Sequence, residues 1–360
     1  MMELHFEPTP ENPYAWDYLD NETGIPDRPY DELGILSPVL RASYHLAFFT
    51  GGALSLSMLY LVLYRTSGHL KNYGRMLMLC SITDLSYWLM DNMLQLKARL
   101  QDGVFMAKFE GPAMYFSYNN QAVAMACYVA TLAWIHSILP AQYYFRYYAV
   151  TRSQPLSGLQ TASIYILSLL LALPLGFIAY PGYSRSATSR PGFNYGTLWY
   201  REVPLPKVLY ADIRDIYQQL YFFYANLFVT ASYLLSLYFA YKTVLFLKQN
   251  SSMYSERTKS MQNQLARALF FQTLLPIFVS IGPILFICVP SFFYMNTGKS
   301  ALIFMNMTSW IPVFNPLLTI IAIVPYRRAV LECFGRGKVH TSSAGKESSN
   351  KGDGTLEMMM

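Results

Sequence analysis

The chain has 360 residues, 53% of them hydrophobic and only 13% charged, about half the charged share of an ordinary soluble domain. That balance argues against a soluble globular fold, and no nucleic-acid partner is expected. The net charge of +6 therefore has to be read by location rather than as a total.

Residues 1–41 hold nine acids, Glu3, Glu7 and Asp17 among them, against Arg28 and Arg41. This polar, proline-containing arm reads as disordered. Its Asn21-Glu22-Thr23 sequon is a candidate glycosylation site if the arm enters the secretory lumen, although the same short pattern recurs by chance at Asn250-Ser251-Ser252. No basic start followed by an apolar core precedes residue 42, so the first apolar stretch is expected to serve as signal anchor.

Seven long apolar stretches follow: Ala42 to Tyr64, Met76 to Leu96, Met114 to Phe145, Thr161 to Pro181, Ile216 to Tyr241, Ala268 to Val289 and Ser300 to Val324. Each supplies the roughly 20 residues that a helix needs to cross about 30 Å of hydrocarbon. In lipid every backbone polar group needs an internal partner, which makes these runs helices. The sequence thus predicts an all-α membrane protein, a seven-helix bundle over 42–325. It is followed by a short amphipathic helix at 326–337 and a disordered tail at 338–360.

Only Asp84 and Asp91, both in the second stretch, carry a formal charge within the seven. Asp84 falls near mid-membrane with Asn315, Ser81 and Thr83 as available partners, and reads as a functional intramembrane acid or as a structural hydrogen-bonding one. Asp91 lies two turns farther out on the same face. With Tyr118, Asn119, Asn120 and Gln121 of the third stretch and Tyr217 of the fifth, it makes a candidate ligand pocket, unless some of these side chains simply face water.

The third stretch closes with Gln142-Tyr143-Tyr144-Phe145-Arg146-Tyr147-Tyr148, placing Arg146 at the membrane boundary. The sixth carries Pro276, Pro283 and Pro290 at seven-residue spacing, and the seventh carries Asn315-Pro316; both invite kinks. Asn315 could satisfy the carbonyl that Pro316 frees or reach across to Asp84. Cys80, Cys127 and Cys288 fall inside the stretches and read as small buried hydrophobes, while Cys333, just past the last, is placed for palmitoylation. Basic residues such as Arg65, Arg146, Lys248 and Arg327 favour the odd-numbered connections, which orients the N-terminus outward.

Taken together, seven helices, an Arg-Tyr pair ending the third, an Asp in the second and Asn-Pro in the seventh resemble a rhodopsin-like G-protein-coupled receptor. Gly111-Pro112 before the third helix, Phe145-Arg146-Tyr147-Tyr148, Gln272-Thr273-Leu274-Leu275-Pro276 and Pro325-Tyr326-Arg327 resemble the nematode serpentine chemoreceptors, closest to the Srd type. Phe145 stands where the wider family carries an acid, and Thr319 where it carries a tyrosine.

The resemblance implies a chemosensory receptor of the plasma membrane, expected in sensory cilia, that binds a small molecule or peptide and activates a heterotrimeric G protein. Asp84, Arg146, Tyr147, Pro283, Asn315 and Pro316 would be its switch and coupling residues. Arrestin could dock on the tail, and membrane lipids would meet the basic connections. A transporter or channel is the alternative, though neither an inverted repeat nor a polar stripe through several spans is visible. No His-Glu-x-x-His pattern points to an enzyme, and no cofactor is expected: a retinal-attachment lysine should lie inside the seventh helix, whereas Lys299 precedes it.

Overall fold

The computed structural model describes residues 2–5, 17–20, 36–66, 71–152, 156–191, 193, 195–199, 208–249 and 273–333. The helices are α1 (Leu36–Tyr64), α2 (Lys71–Leu94), α3 (Tyr118–Arg152), α4 (Gly158–Ser184), α5 (Ile216–Gln249), α6 (Thr273–Phe292), α7 (Ser300–Thr308), α8 (Ile311–Ala322) and α9 (Val324–Cys333). Asn21, residues 250–272 and the tail from 334 onward lie outside the described residues.

Five helices, α1, α3, α4, α5 and α6, are long and apolar enough to cross a membrane, and α7 with α8 forms a further span bent by 45° at its break. α2 is equally long but carries Lys71, Arg75, Asp84 and Asp91, which make it less apolar; it completes the seven. Leu46, Phe49, Leu170, Phe177, Leu227 and Leu234 face outward, as acyl chains favour, while alanines and tyrosines pack inside. Cys80 and Cys288 are buried, whereas Cys127, expected among the buried thiols, is exposed on α3.

Proline and its neighbours set the local breaks. α4 starts at a capping box, in which Ser157 Oγ accepts from the Gln160 amide and the Gln160 side chain accepts from the Ser157 amide. In α6 the backbone widens into a π-helical turn at Ile277–Ile281, between Pro276 and Pro283, closed by the Gly282 amide donating to the Ile277 carbonyl. A Cβ on Gly282 would collide with that carbonyl.

Strands form outside the helices. Strands β1 (Met2–His5) and β2 (Asp17–Asp20) pair antiparallel within the arm expected to be disordered. Strands β3 (Leu96–Gln101) and β4 (Val104–Phe109) form a hairpin between α2 and α3, joined on the β4 side by β5 (Leu209–Asp212). Asp102 and Gly103 make its two-residue turn with φ of 52° and 72°, the geometry that Asp-Gly turns favour. The sheet is largely buried on both sides: Phe105 packs edge-on against Tyr183 and Phe222, and Thr297 donates to Leu100 O at 3.1 Å.

Gly103 and Gly298 share positive φ, at 72° and 52°, but only Gly103 is crowded, since its Cβ would stand 2.6 Å from Ile213 and 2.8 Å from Tyr294. Left-handed backbone costs a residue with a Cβ about 1–2 kcal/mol. Gly103→Ala is therefore expected to lower the thermal midpoint of the detergent-solubilised protein by more than Gly298→Ala does. Equal losses in a thermal-shift assay would show the crowding to be immaterial.

Candidate functional site

Asp84 and Asp91 lie two turns apart on one face of α2; Asp91 meets the seventh span at its break and Asp84 meets it beyond, on α8. Asp91 is 4% exposed. Its carboxylate accepts from Tyr44 OH of α1 at 2.7 Å, the same hydroxyl lies 2.7 Å from the Asp91 carbonyl, and Ser309 stands beside it. Next to this pair, Tyr87 OH donates to Thr308 O at 3.3 Å and meets Tyr128 OH at 3.1 Å. Trp310 Nε1 donates to Ser43 Oγ, which donates in turn to Asn306 Oδ1 at 2.8 Å. Above Tyr44, Leu40, Arg41, Leu96, Lys97, Leu302 and Asn306 line a crevice of about 40 Å³.

Asp84 forms the inner centre. Asn315 Nδ2 donates to its Oδ1 at 2.9 Å, while Ser55 of α1 donates to the Pro312 carbonyl, which Pro316 leaves without its helical donor. Of the other partners expected for Asp84, Ser81 donates to Leu77 O and Thr83 to Leu79 O within α2. Asp84, Asn315, Pro316, His136 and Ser280 are among the residues lining a chamber of about 70 Å³.

The remaining residues singled out from the sequence disperse. Asn119 and Asn120 are exposed. Gln121 is buried and donates to Ala113 O and Met114 O, which fixes the 3₁₀ turn Pro112–Tyr115 that precedes α3. Tyr118 donates to Tyr183 O, and Tyr217 accepts from Arg185, whose guanidinium also lies over its ring. On the opposite face of the bundle, Arg146 is half-buried 6.0 Å from the Tyr143 ring, and Tyr147 packs against Phe239. Pro283 is buried just beyond the π turn.

Sequence reasoning missed a four-charge cage over the hairpin. Arg190 reaches Asp102 at 2.8 Å and Asp212 at 3.1 Å, and Arg214 reaches the same two carboxylates at 3.2 Å and 3.1 Å. Tyr195 OH donates to Asp212 as well, and Arg214 lies 4.8 Å over the Tyr294 ring. The cage thereby joins the hairpin turn, the α4–α5 connection and the outer end of α6. Its members stand 88 to 112 residues apart across the Asp102 bonds, so no local pattern announces it.

The fold is that of a rhodopsin-like seven-helix receptor: the structure of squid rhodopsin superposes with a TM-score of 0.56 at 12% identity, over 82% of this chain and 85% of that one. Residues 40–332 match the family described as serpentine type 7TM GPCR chemoreceptor Srd, and the chain belongs to that family. Serpentine receptor class delta-1 of Caenorhabditis elegans is 24% identical over 313 residues, covering 83% of this chain and 82% of its own length. Class delta-19 of the same nematode is 24% identical over 296 residues, 78% of this chain and 83% of that one.

Burial raises the Asp212 carboxyl from the ordinary 3.8 to about 6, against the opposing pull of Arg190 and the Tyr195 hydrogen bond. A folded-state value above the unfolded one means that the native form binds the proton more tightly. This group's contribution to stability is then greatest at low pH and declines as pH rises through about 4 to 6. Asp212→Asn should remove that component, so the difference between wild-type and variant thermal midpoints should change between about pH 7 and pH 5. A constant difference would assign the titration elsewhere.

Proposed function

We propose that this membrane protein is a chemosensory receptor that binds a small extracellular ligand, an odorant, a pheromone or a peptide, and activates a heterotrimeric G protein. In this reading the N-terminal face is outside the plasma membrane, the opposite face is cytoplasmic, and sensory cilia are the place of action. The observation that carries it is the match to the serpentine chemoreceptor family over residues 40–332.

The mechanism follows from the two centres on α2. A ligand shifts the inactive and active conformations only by its difference in affinity for them. A ligand lodged in the crevice above Tyr44 would meet a hydroxyl already bound to Asp91, so it could alter how α1 and α2 grip the seventh span at its break. On the cytoplasmic face, Arg146 and Tyr147 at the end of α3 would contact the G protein, with arrestin a further partner of the tail.

Arg146→Ala should abolish agonist-stimulated G-protein activation while surface expression is retained; a normal signal from that variant would remove Arg146 from the coupling surface. Asp91→Asn keeps the shape but weakens the acceptor for Tyr44, and agonist potency should fall about tenfold, the equivalent of roughly 1.4 kcal/mol. An unchanged potency in a dose-response assay would take Asp91 out of ligand recognition, and solute flux without agonist would favour a transporter instead.

A further inference from the structure

We propose that the crevice above Tyr44 is an anion subsite that takes the carboxylate of a soluble ligand, an inference that rests on the receptor reading given above and narrows its ligand class. Leu96 of β3 and Leu302 of α7, 6% and 4% exposed, give the crevice apolar walls. Arg41 of α1, Gln95 where α2 passes into β3, and Lys97 line the same space. Its other polar groups are spent. Tyr44 has committed its hydrogen to Asp91, while Asn306 donates to Leu40 O and accepts from Ser43. Lys97 donates to Glu110 Oε1 at 2.8 Å, which cancels the one acid of the lining and leaves the other ammonium hydrogens unengaged. Among the described residues, no hydrogen bond or ion pair engages Arg41 or the Gln95 side chain.

Donors therefore outnumber acceptors in the crevice, and one positive charge is left over. That balance suits an oxyanion and opposes an amine. A guanidinium fork beside an ammonium can hold a carboxylate through charge-assisted bonds, and Arg is the side chain that matches its planar shape. The space, about 40 Å³, is that of roughly three waters on this measure, enough for a carboxylate head but not for a whole ligand. The backbone supplies a second observation. Gln95 has a φ of 47°, in the left-handed region that a residue with a Cβ disfavours. Its amide donates to Asp91 O at 2.7 Å and its carbonyl accepts from the Glu110 amide at 3.2 Å, so the conformation is pinned on both sides. Backbone held in this way clusters at ligand clamps. The Asp91 carbonyl that receives the Gln95 amide also receives Tyr44 OH, so an anion drawn to Arg41 and Gln95 pulls on one acceptor shared by both.

Thermal unfolding of the intact protein in a non-ionic detergent tests this, with hexanoate as the probe and hexanamide as its neutral counterpart. Hexanoate should raise the wild-type midpoint, and hexanamide at the same concentration and ionic strength should not. Arg41→Gln, which loses a charged hydrogen bond, should need about tenfold more hexanoate for the same rise. Arg41→Lys should recover part of that loss, while Arg327→Gln, in α9 and outside the crevice, should respond as the wild type does. No rise with hexanoate, equal rises with both probes, or an unchanged response in Arg41→Gln would each overturn the proposal; the two-probe comparison needs only the wild type. Dihexanoyl phosphatidylglycerol serves as a third probe. Stabilisation through Arg41 by this lipid at lower concentration than hexanoate would give the site to a lipid headgroup and overturn the soluble ligand. None of these measurements needs a G protein, so the two readings fail separately. Absent agonist-stimulated signalling in cells would sink the receptor reading and leave hexanoate binding in place, whereas signalling without hexanoate binding would sink the carboxylate subsite alone.

Discussion

Proline 316 has no amide hydrogen, and much of the bundle's polar architecture is arranged around that missing donor. In water the Pro312 carbonyl would find a solvent partner; inside a bilayer it must find one in the protein. Ser55 of α1 supplies it at 3.2 Å, which leaves Asn315 free to donate across to Asp84 instead of back to its own helix. One absent N–H thus ties three helices together: α1 through the serine, α2 through the aspartate, and α8, which carries the asparagine. Asp84 can sit at this depth because a donor is held against it, and the donor is available because a different helix met the debt left by the proline.

The same reasoning separates what could be read in the sequence from what could not. Seven runs of about 20 apolar residues are a one-dimensional signal, fixed by bilayer thickness and backbone hydrogen bonding, and they were legible. Asp84 and Asp91 were legible because charge is rare there. The direction of Asn315 was left open between two partners, since choosing between them required knowing that Ser55 reaches Pro312. Neighbouring polar residues misled for a geometric reason: successive helical side chains point about 100° apart, so Tyr118, Asn119, Asn120 and Gln121 cannot all face one cavity. The bundle takes Gln121 inward and leaves Asn119 and Asn120 outside. The hairpin did carry a local mark, Asp102-Gly103 between two six-residue runs, but its burial depends on loops distant in sequence.

Phe145 shows how a departure from a family pattern is absorbed. Where the wider receptor family places an acid before the arginine, this chain buries an aromatic ring, 2% exposed, among Met76, Cys80, Ile138, Ala141 and Leu156. An acid there would hold Arg146 by charge; the ring holds the end of α3 against α2 and the α3–α4 connection by packing. The contact is non-directional and fixes the helix end. On the opposite face the substitution runs the other way. The Asp102–Arg190–Asp212–Arg214 cage fastens the hairpin and loops by charge, with the Asp212 carboxylate fully enclosed.

The two acids of α2 gain their significance from the element that they share. The seventh span breaks between α7 and α8, turning by 45°, and a bent span can change its angle more easily than a continuous helix because the Ser309 and Trp310 amides at the break make i→i−3 bonds in place of α-helical ones. Asp91, bound by Tyr44, stands beside Ser309 at the break itself, while Asp84 is bound by Asn315 in α8. A rigid helix therefore grips a flexible one at two points, one at the hinge and the other beyond it. Moving the outer point without the inner must change the bend; moving both together must shift α2 past α8. Either displacement alters the wall of the chamber below, because Asn315, Pro316 and Thr319 on α8 form one side of it and Ser280 in the π turn of α6 another. If the protein acts as the receptor proposed above, a disturbance at the outer acid would reach the π turn of α6 by this route.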